Sequence, residues 1–206
     1  MRSLLRKIDP RRDKKQPDCV LIIGSHELKT ALQHTLDADT TLYSLCPTDS
    51  QTDQGAAVRH IFGRIQNEGK RVNLVIFQPP AATAQPTGEL TTAQTESRWQ
   101  ATGYTLFHIA QAAITQMQKN QQGSLIVLGS SLAQHPQPNL ALDTAMYAGM
   151  RALCQSLSRE FHPQGLHISN VALPEPVTAD AAALATLCLQ LHQQPQSAWT
   201  QEVEMG

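Results

Sequence analysis

The chain has 206 residues, 41% hydrophobic but only 4% aromatic, with a formal net charge of −1. That length suits one domain with an aliphatic core, and the near-zero charge gives no reason to expect nucleic acid. No stretch approaches the ~20 apolar residues of a membrane span, and Val20–Ile23 is too short for a signal-peptide core.

The charge is unevenly spread. Residues 1–15 carry seven Lys/Arg and two Asp, so the remainder has a net charge of −6. Residues 1–18 are therefore expected to form a basic, flexible arm, with a single domain over 19–206. The four cysteines, Cys19, Cys46, Cys154 and Cys188, form no CxxC motif. They read as reduced thiols in a cytoplasmic protein.

In chain order, Cys19–Gly24 (CVLIIG) is an apolar run ending in glycine, the pattern of a buried parallel strand. A helix follows over about 27–36, then a weaker strand at Thr41–Leu45. Val58, Ile61, Phe62 and Ile65 fall at helical spacing within 56–68. Val72–Phe77 (VNLVIF) is a second buried strand, stopped by Pro79 and Pro80, and the Thr/Pro/Gln/Ala-rich 81–95 reads as a loop. A long helix over 96–119 carries Trp99, Gly103, Leu106, Ala110, Ala113 and Met117 along one seam. Ser124–Leu128 (SLIVL) is a third strand, and a helix over 144–161 carries Met146, Met150, Leu153, Leu157 and Phe161 at similar spacing. Leu166–Leu173 is a fourth strand, followed by a helix over 179–191 and a short strand at 202–205. The alternation predicts an α/β fold, Rossmann-like and doubly wound, with a mostly parallel sheet and ligands at the carboxyl ends of its strands. None of the eight histidines forms H-x-H or H-E-x-x-H, so no metal site is expected.

GSLIVLGSS (123–131), MYAGMRAL (146–153) and EFHPQGLHISNVALPEPVT (160–178) together resemble the short-chain dehydrogenase/reductase (SDR) family. The resemblance covers about 19–206. It implies an NAD(P)-dependent carbonyl reductase or alcohol dehydrogenase with Tyr147 as proton donor and Ser131 or Ser130 holding the substrate carbonyl. The family's lysine four residues after the tyrosine is here Arg151, and its helix asparagine falls on Thr102. Arginine keeps the charge that would lower the tyrosine pKa, but it does not replace a compact ammonium on the ribose. The cofactor-binding positions would be Gly24, Ser25, Gln78, Arg151 and Pro174.

The departures lie at the cofactor end. Of the family's G-x-x-x-G-x-G only Gly24 remains, with Leu28 and Thr30 at the other glycine positions and Glu27 between them. A carboxylate in the first helical turn satisfies the helix dipole and repels phosphate. Gly24 and Val72 are only 48 positions apart, so one βα unit of the family is expected to be absent. The expectation is therefore a degenerate member with no or weak NAD(P) binding, acting as a regulatory or structural subunit. The alternative is an active carbonyl reductase. In this family the two long helices commonly build the subunit interface, so a homo-oligomer, or a hetero-oligomer with an active relative, is expected through 96–119 and 144–161.

Overall fold

The computed structural model describes residues 18–46, 53–177 and 179–205. Apart from Asp18, the expected basic arm lies outside the described residues.

Six parallel strands form one sheet in the order β2-β1-β3-β4-β5-β6. They are β1 (Asp18–Ile23), β2 (Thr41–Leu45), β3 (Arg71–Phe77), β4 (Gly123–Ser130), β5 (Leu166–Leu173) and β6 (Glu202–Glu204). The helices are α1 (His26–Thr35), α2 (Gln54–Asn67), α3 (Thr92–Trp99), α4 (Thr105–Met117), α5 (Ala141–Phe161) and α6 (Ala181–Gln193). Among the described residues, α1, β2 and α2 separate β1 from β3.

Strand alternation divides the core into two layers. Leu21, Ile23, Val75, Phe77, Leu125, Val127 and Ile168 face one way, against α2, α4 and α5. Val20, Ile22, Leu74, Ile76, Ile126, Leu128 and Val171 face the other, against α1 and α6. Every residue of β4 and β5 is buried, as expected of central parallel strands covered on both faces, and the buried set includes the polar His167, Ser169 and Asn170. Each fully buried Leu or Ile contributes roughly 1.5–3 kcal/mol relative to exposure.

The long helix differs from its sequence reading. It begins earlier, at Thr92, behind a capping box in which Thr91 and Gln94 satisfy each other's backbone N–H groups. It is then interrupted by a wide π turn at Gln100–Tyr104. There the Thr105 hydroxyl donates to the Gln100 carbonyl at 2.7 Å, bridging five residues. The seam is also mostly internal: Leu106, Ala110, Ala113 and Met117 are core residues, whereas Trp99, Tyr104 and Phe107 are the exposed aromatics. On α5, Met146 and Met150 are buried, and Leu153, Leu157 and Phe161 only partly so.

At the opposite end of the sheet from the loops lies a histidine pair. His167 on β5 stacks on Trp199 at 4.9 Å and meets the Thr200 carbonyl at 2.9 Å. His192 on α6 meets the Ser124 hydroxyl at 2.8 Å. Burial pushes both imidazoles below their ordinary value of 6.5; the Thr200 carbonyl opposes this at His167, while the proximity of His167 adds to it at His192 and Asp18 opposes it. The folded state thus resists protonation that the unfolded chain accepts. Their contribution to stability is complete above pH ~6.5 and is lost as pH falls below it. Urea melts from pH 7.5 to 5 should show this loss, and His167→Gln should flatten the slope; an unchanged slope would remove His167 from the account.

Candidate functional site

The loops after β1, β3, β4 and β5 converge at the carboxyl edge of the sheet. Gly24 ends β1 there, and its N–H donates to the Leu45 carbonyl at 3.1 Å. Gln78, just past β3, lies directly over it: a Cβ at Gly24 would come within 2.8 Å of the Gln78 Cβ and 3.1 Å of its amide oxygen. The glycine is thus used to admit Gln78.

The same amide oxygen accepts from the Ser25 N–H at 3.1 Å. The Ser25 hydroxyl caps α1 by accepting from the Leu28 N–H at 3.3 Å. Glu27 is exposed, and its carboxyl is held below the usual carboxylate range by its own backbone N–H and then by the Ser25 hydroxyl. Leu28, at a family glycine position, is buried in the core beneath. The N–H groups of Ser25 and Leu28 therefore already have acceptors from within the chain. A helix N-terminus that receives phosphate offers such N–H groups unengaged.

Tyr147 and the serines lie on the neighbouring elements. The Tyr147 hydroxyl donates to the Pro80 carbonyl at 3.1 Å. Burial pushes its pKa well above the ordinary tyrosine value, Asp143 and Glu175 push it further, and Arg98 opposes them. Burial, then Asp143, also raises the Glu175 carboxyl. Ser130 is buried at the end of β4, its hydroxyl accepting from the Leu132 N–H at 3.2 Å. Ser131 begins the next turn and is half-buried. Thr102 sits buried in the π turn, its hydroxyl donating to the Arg98 carbonyl at 2.7 Å. Pro174 follows β5 and is half-buried.

Arg151 lies one turn along α5 from Tyr147 but is engaged elsewhere. Its Nε and Nη2 both donate to Glu202 on β6, the latter at 2.9 Å. Gln155 joins the same carboxylate at 3.3 Å. This hydrogen bonding raises the Arg151 pKa and lowers that of Glu202. The cation beside Tyr147 is instead Arg98, paired with the buried Asp143 at 3.0 Å. Sequence reading gave no role to Arg98, Asp143, Glu175 or Glu202. The position of Asp143, one turn before Tyr147 on the same helix face, was the available signal for one of them.

A family model described as "short chain dehydrogenase" matches residues 11–186. The chain belongs to the short-chain dehydrogenase family. A search of curated protein sequences finds no match. Among solved structures, a short-chain dehydrogenase from Rhodopseudomonas palustris superposes with a TM-score of 0.80 at 20% identity, covering 92% of this chain and 98% of that one. YwfH, an NADPH-dependent reductase involved in bacilysin biosynthesis, gives 0.77 at 13% identity, covering 92% and 96%. An oxidoreductase of the same family from Brucella ovis, in complex with a partially ordered NAD, gives 0.73 at 16%, covering 93% and 100%. At these identities the likeness concerns the fold. The superpositions run along nearly the whole of all three chains, so the fold is shared over most of this one.

Among the described residues, no helix is long and apolar enough to cross a membrane. Cys19, Cys154 and Cys188 are buried, and burial pushes each thiol up to about 12, so none is a ready nucleophile.

Proposed function

We propose that this short-chain dehydrogenase scaffold binds NAD(P) weakly or not at all and serves as a non-catalytic subunit. The observation that carries the reading is the turn at Gly24, where Gln78 takes up the Ser25 N–H and the Ser25 hydroxyl takes up the Leu28 N–H, with the Glu27 carboxylate in the same turn. These residues do not fit a dinucleotide pyrophosphate. A phosphate arriving there would have to displace the Gln78 amide and lie beside the Glu27 carboxylate. Tyr147 and Arg151 support the same reading, since the phenol is bonded to Pro80 and the guanidinium to Glu202.

The subunit role rests on the face formed by α3, α4 and α5. Trp99, Tyr104 and Phe107 are 41%, 47% and 47% exposed, a concentration of apolar surface that a monomer rarely leaves to water. The occupant we favour is a second copy of this chain. Phe107→Asp should shift the protein to monomer in sedimentation velocity at ~10 µM, with its circular dichroism unchanged. A wild type that is already monomeric would leave only pairing with a relative, read by co-purification with an active family member from the native host.

The second reading, an NAD(P)H-dependent carbonyl reductase with Tyr147 as acid, is favoured by the kinship itself: one structural neighbour is described as an NADPH-dependent reductase and another holds NAD. NADPH oxidation against a panel of ketones and aldehydes separates the two. We expect no oxidation above background for the wild type or for Arg151→Lys, which restores the family's ammonium. Turnover that vanishes in Tyr147→Phe would establish the reductase instead.

A further inference from the structure

Beside the site, but not part of the turn at Gly24, a cleft of about 480 Å³ opens between the loop after β3, helix α3 and the start of α5. That is enough for a small metabolite. Its charged residues are Arg98 and Asp143, and they are not equally presented. The Asp143 side chain is only 4% exposed, and both its oxygens are taken: one by Arg98 at 3.0 Å, the other by the Thr83 N–H at 3.2 Å. The Arg98 side chain is 22% exposed.

Among the described residues, Arg98 donates through one of its nitrogens. Nη1 donates to the Ala81 carbonyl at 3.1 Å and to Asp143 at 3.0 Å. The Nε and Nη2 groups have no acceptor among the described residues. That edge is the planar fork that matches a carboxylate with two parallel hydrogen bonds. Asp143 fixes the guanidinium on its other side, so the fork is held in place before any ligand arrives.

The rest of the lining defines the ligand's body. Leu90, Ala101 and Leu142 give apolar wall, while Ser97 and Asn139 add neutral polar groups. Because Asp143 already balances Arg98, the cleft offers hydrogen-bond geometry rather than excess positive charge. It therefore suits a monoanion over a dianion.

We propose that this cleft binds a small monocarboxylate with an apolar body, its carboxylate on the Nε–Nη2 edge of Arg98. The site stands whether or not a dinucleotide binds at Gly24, because no residue of that turn lines it.

Isothermal titration of the full chain with benzoate, benzamide and inorganic phosphate tests this. Benzoate should bind with Kd below ~1 mM, at least tenfold tighter than the isosteric amide or phosphate. Gln94→Glu provides the control on fold. Glutamate at this position keeps the capping box with Thr91 but places a carboxylate on the cleft wall, so benzoate should weaken at least tenfold with the melting temperature unchanged. Arg98→Lys, which keeps the charge but not the fork, should also weaken it. Equal binding of benzoate and benzamide, or no benzoate binding, would overturn the proposal. Phosphate binding as tight as benzoate would show a site that reads charge alone, and an unaffected Gln94→Glu would place binding elsewhere.

Discussion

Asp143→Ala should cost about 3–5 kcal/mol of folding stability, the largest loss expected of any single substitution near the site. The carboxylate is buried and serves two donors on separate elements: the Arg98 guanidinium on α3 and the Thr83 N–H in the loop after β3. Its removal strands a partly buried cation and a backbone donor together. Replacing the pair by well-packed apolar residues would be far milder, because the penalty comes from leaving one member unpaired. In a chain of this size, the melting temperature should fall by roughly 6–20 °C. Asp143→Asn should cost less, since its oxygen still accepts from Thr83 and only the counter-charge is lost. Urea melts at pH 7.5 read the difference. A loss in Asp143→Ala below ~1 kcal/mol would mean that the pair behaves as a solvated surface bridge.

The double variant Glu27→Gln, Gln78→Ala should bind NADPH at least tenfold more tightly than the wild type, equivalent to about 1.4 kcal/mol. The first change removes the carboxylate from the opening turn of α1. The second releases the Ser25 N–H and uncovers Gly24, over which the Gln78 side chain lies. Each single change should give part of the gain, since either obstacle alone still impedes a phosphate. An unchanged affinity in the double variant would move the cause to Leu28 and Thr30, the positions where glycine would otherwise let the pyrophosphate approach the backbone.

The sheet was largely legible in the sequence because its central strands are buried on both faces. Val72–Phe77 and Leu166–Leu173 are apolar runs bounded by Pro or Gly, and they become β3 and β5 with shifts of at most one residue. The start of α3 was not, because Thr, Ala and Gln hide a helix within loop-like composition; the Thr91–Gln94 capping box was its one local mark. The π turn at Gln100–Tyr104 left no periodic trace, since it depends on where the Thr105 hydroxyl finds an acceptor. The spacing also suggested one seam running through Trp99 and Met117, whereas the π turn rotates the first half relative to the second and leaves Trp99 outside.

At the site, Gly24, Gln78, Ser130 and Pro174 lie at or just past the carboxyl ends of their strands, but the partners of the charged residues could not be read. Arg151 with Glu202 and Arg98 with Asp143 are separated by 51 and 45 positions. Such pairs are set by strand order and helix docking rather than by local spacing. Glu27 is the exception. Its carboxylate and the Ser25 cap lie within one helical turn, so this much of the local geometry is legible from the sequence.

On the proposed reading, the turn at Gly24 has closed on itself at the expense of the dinucleotide. Isothermal titration of the wild-type chain with NADH and with NADPH tests it most directly. The account predicts a Kd at or above ~1 mM for both; saturable binding of either in the micromolar range would contradict it.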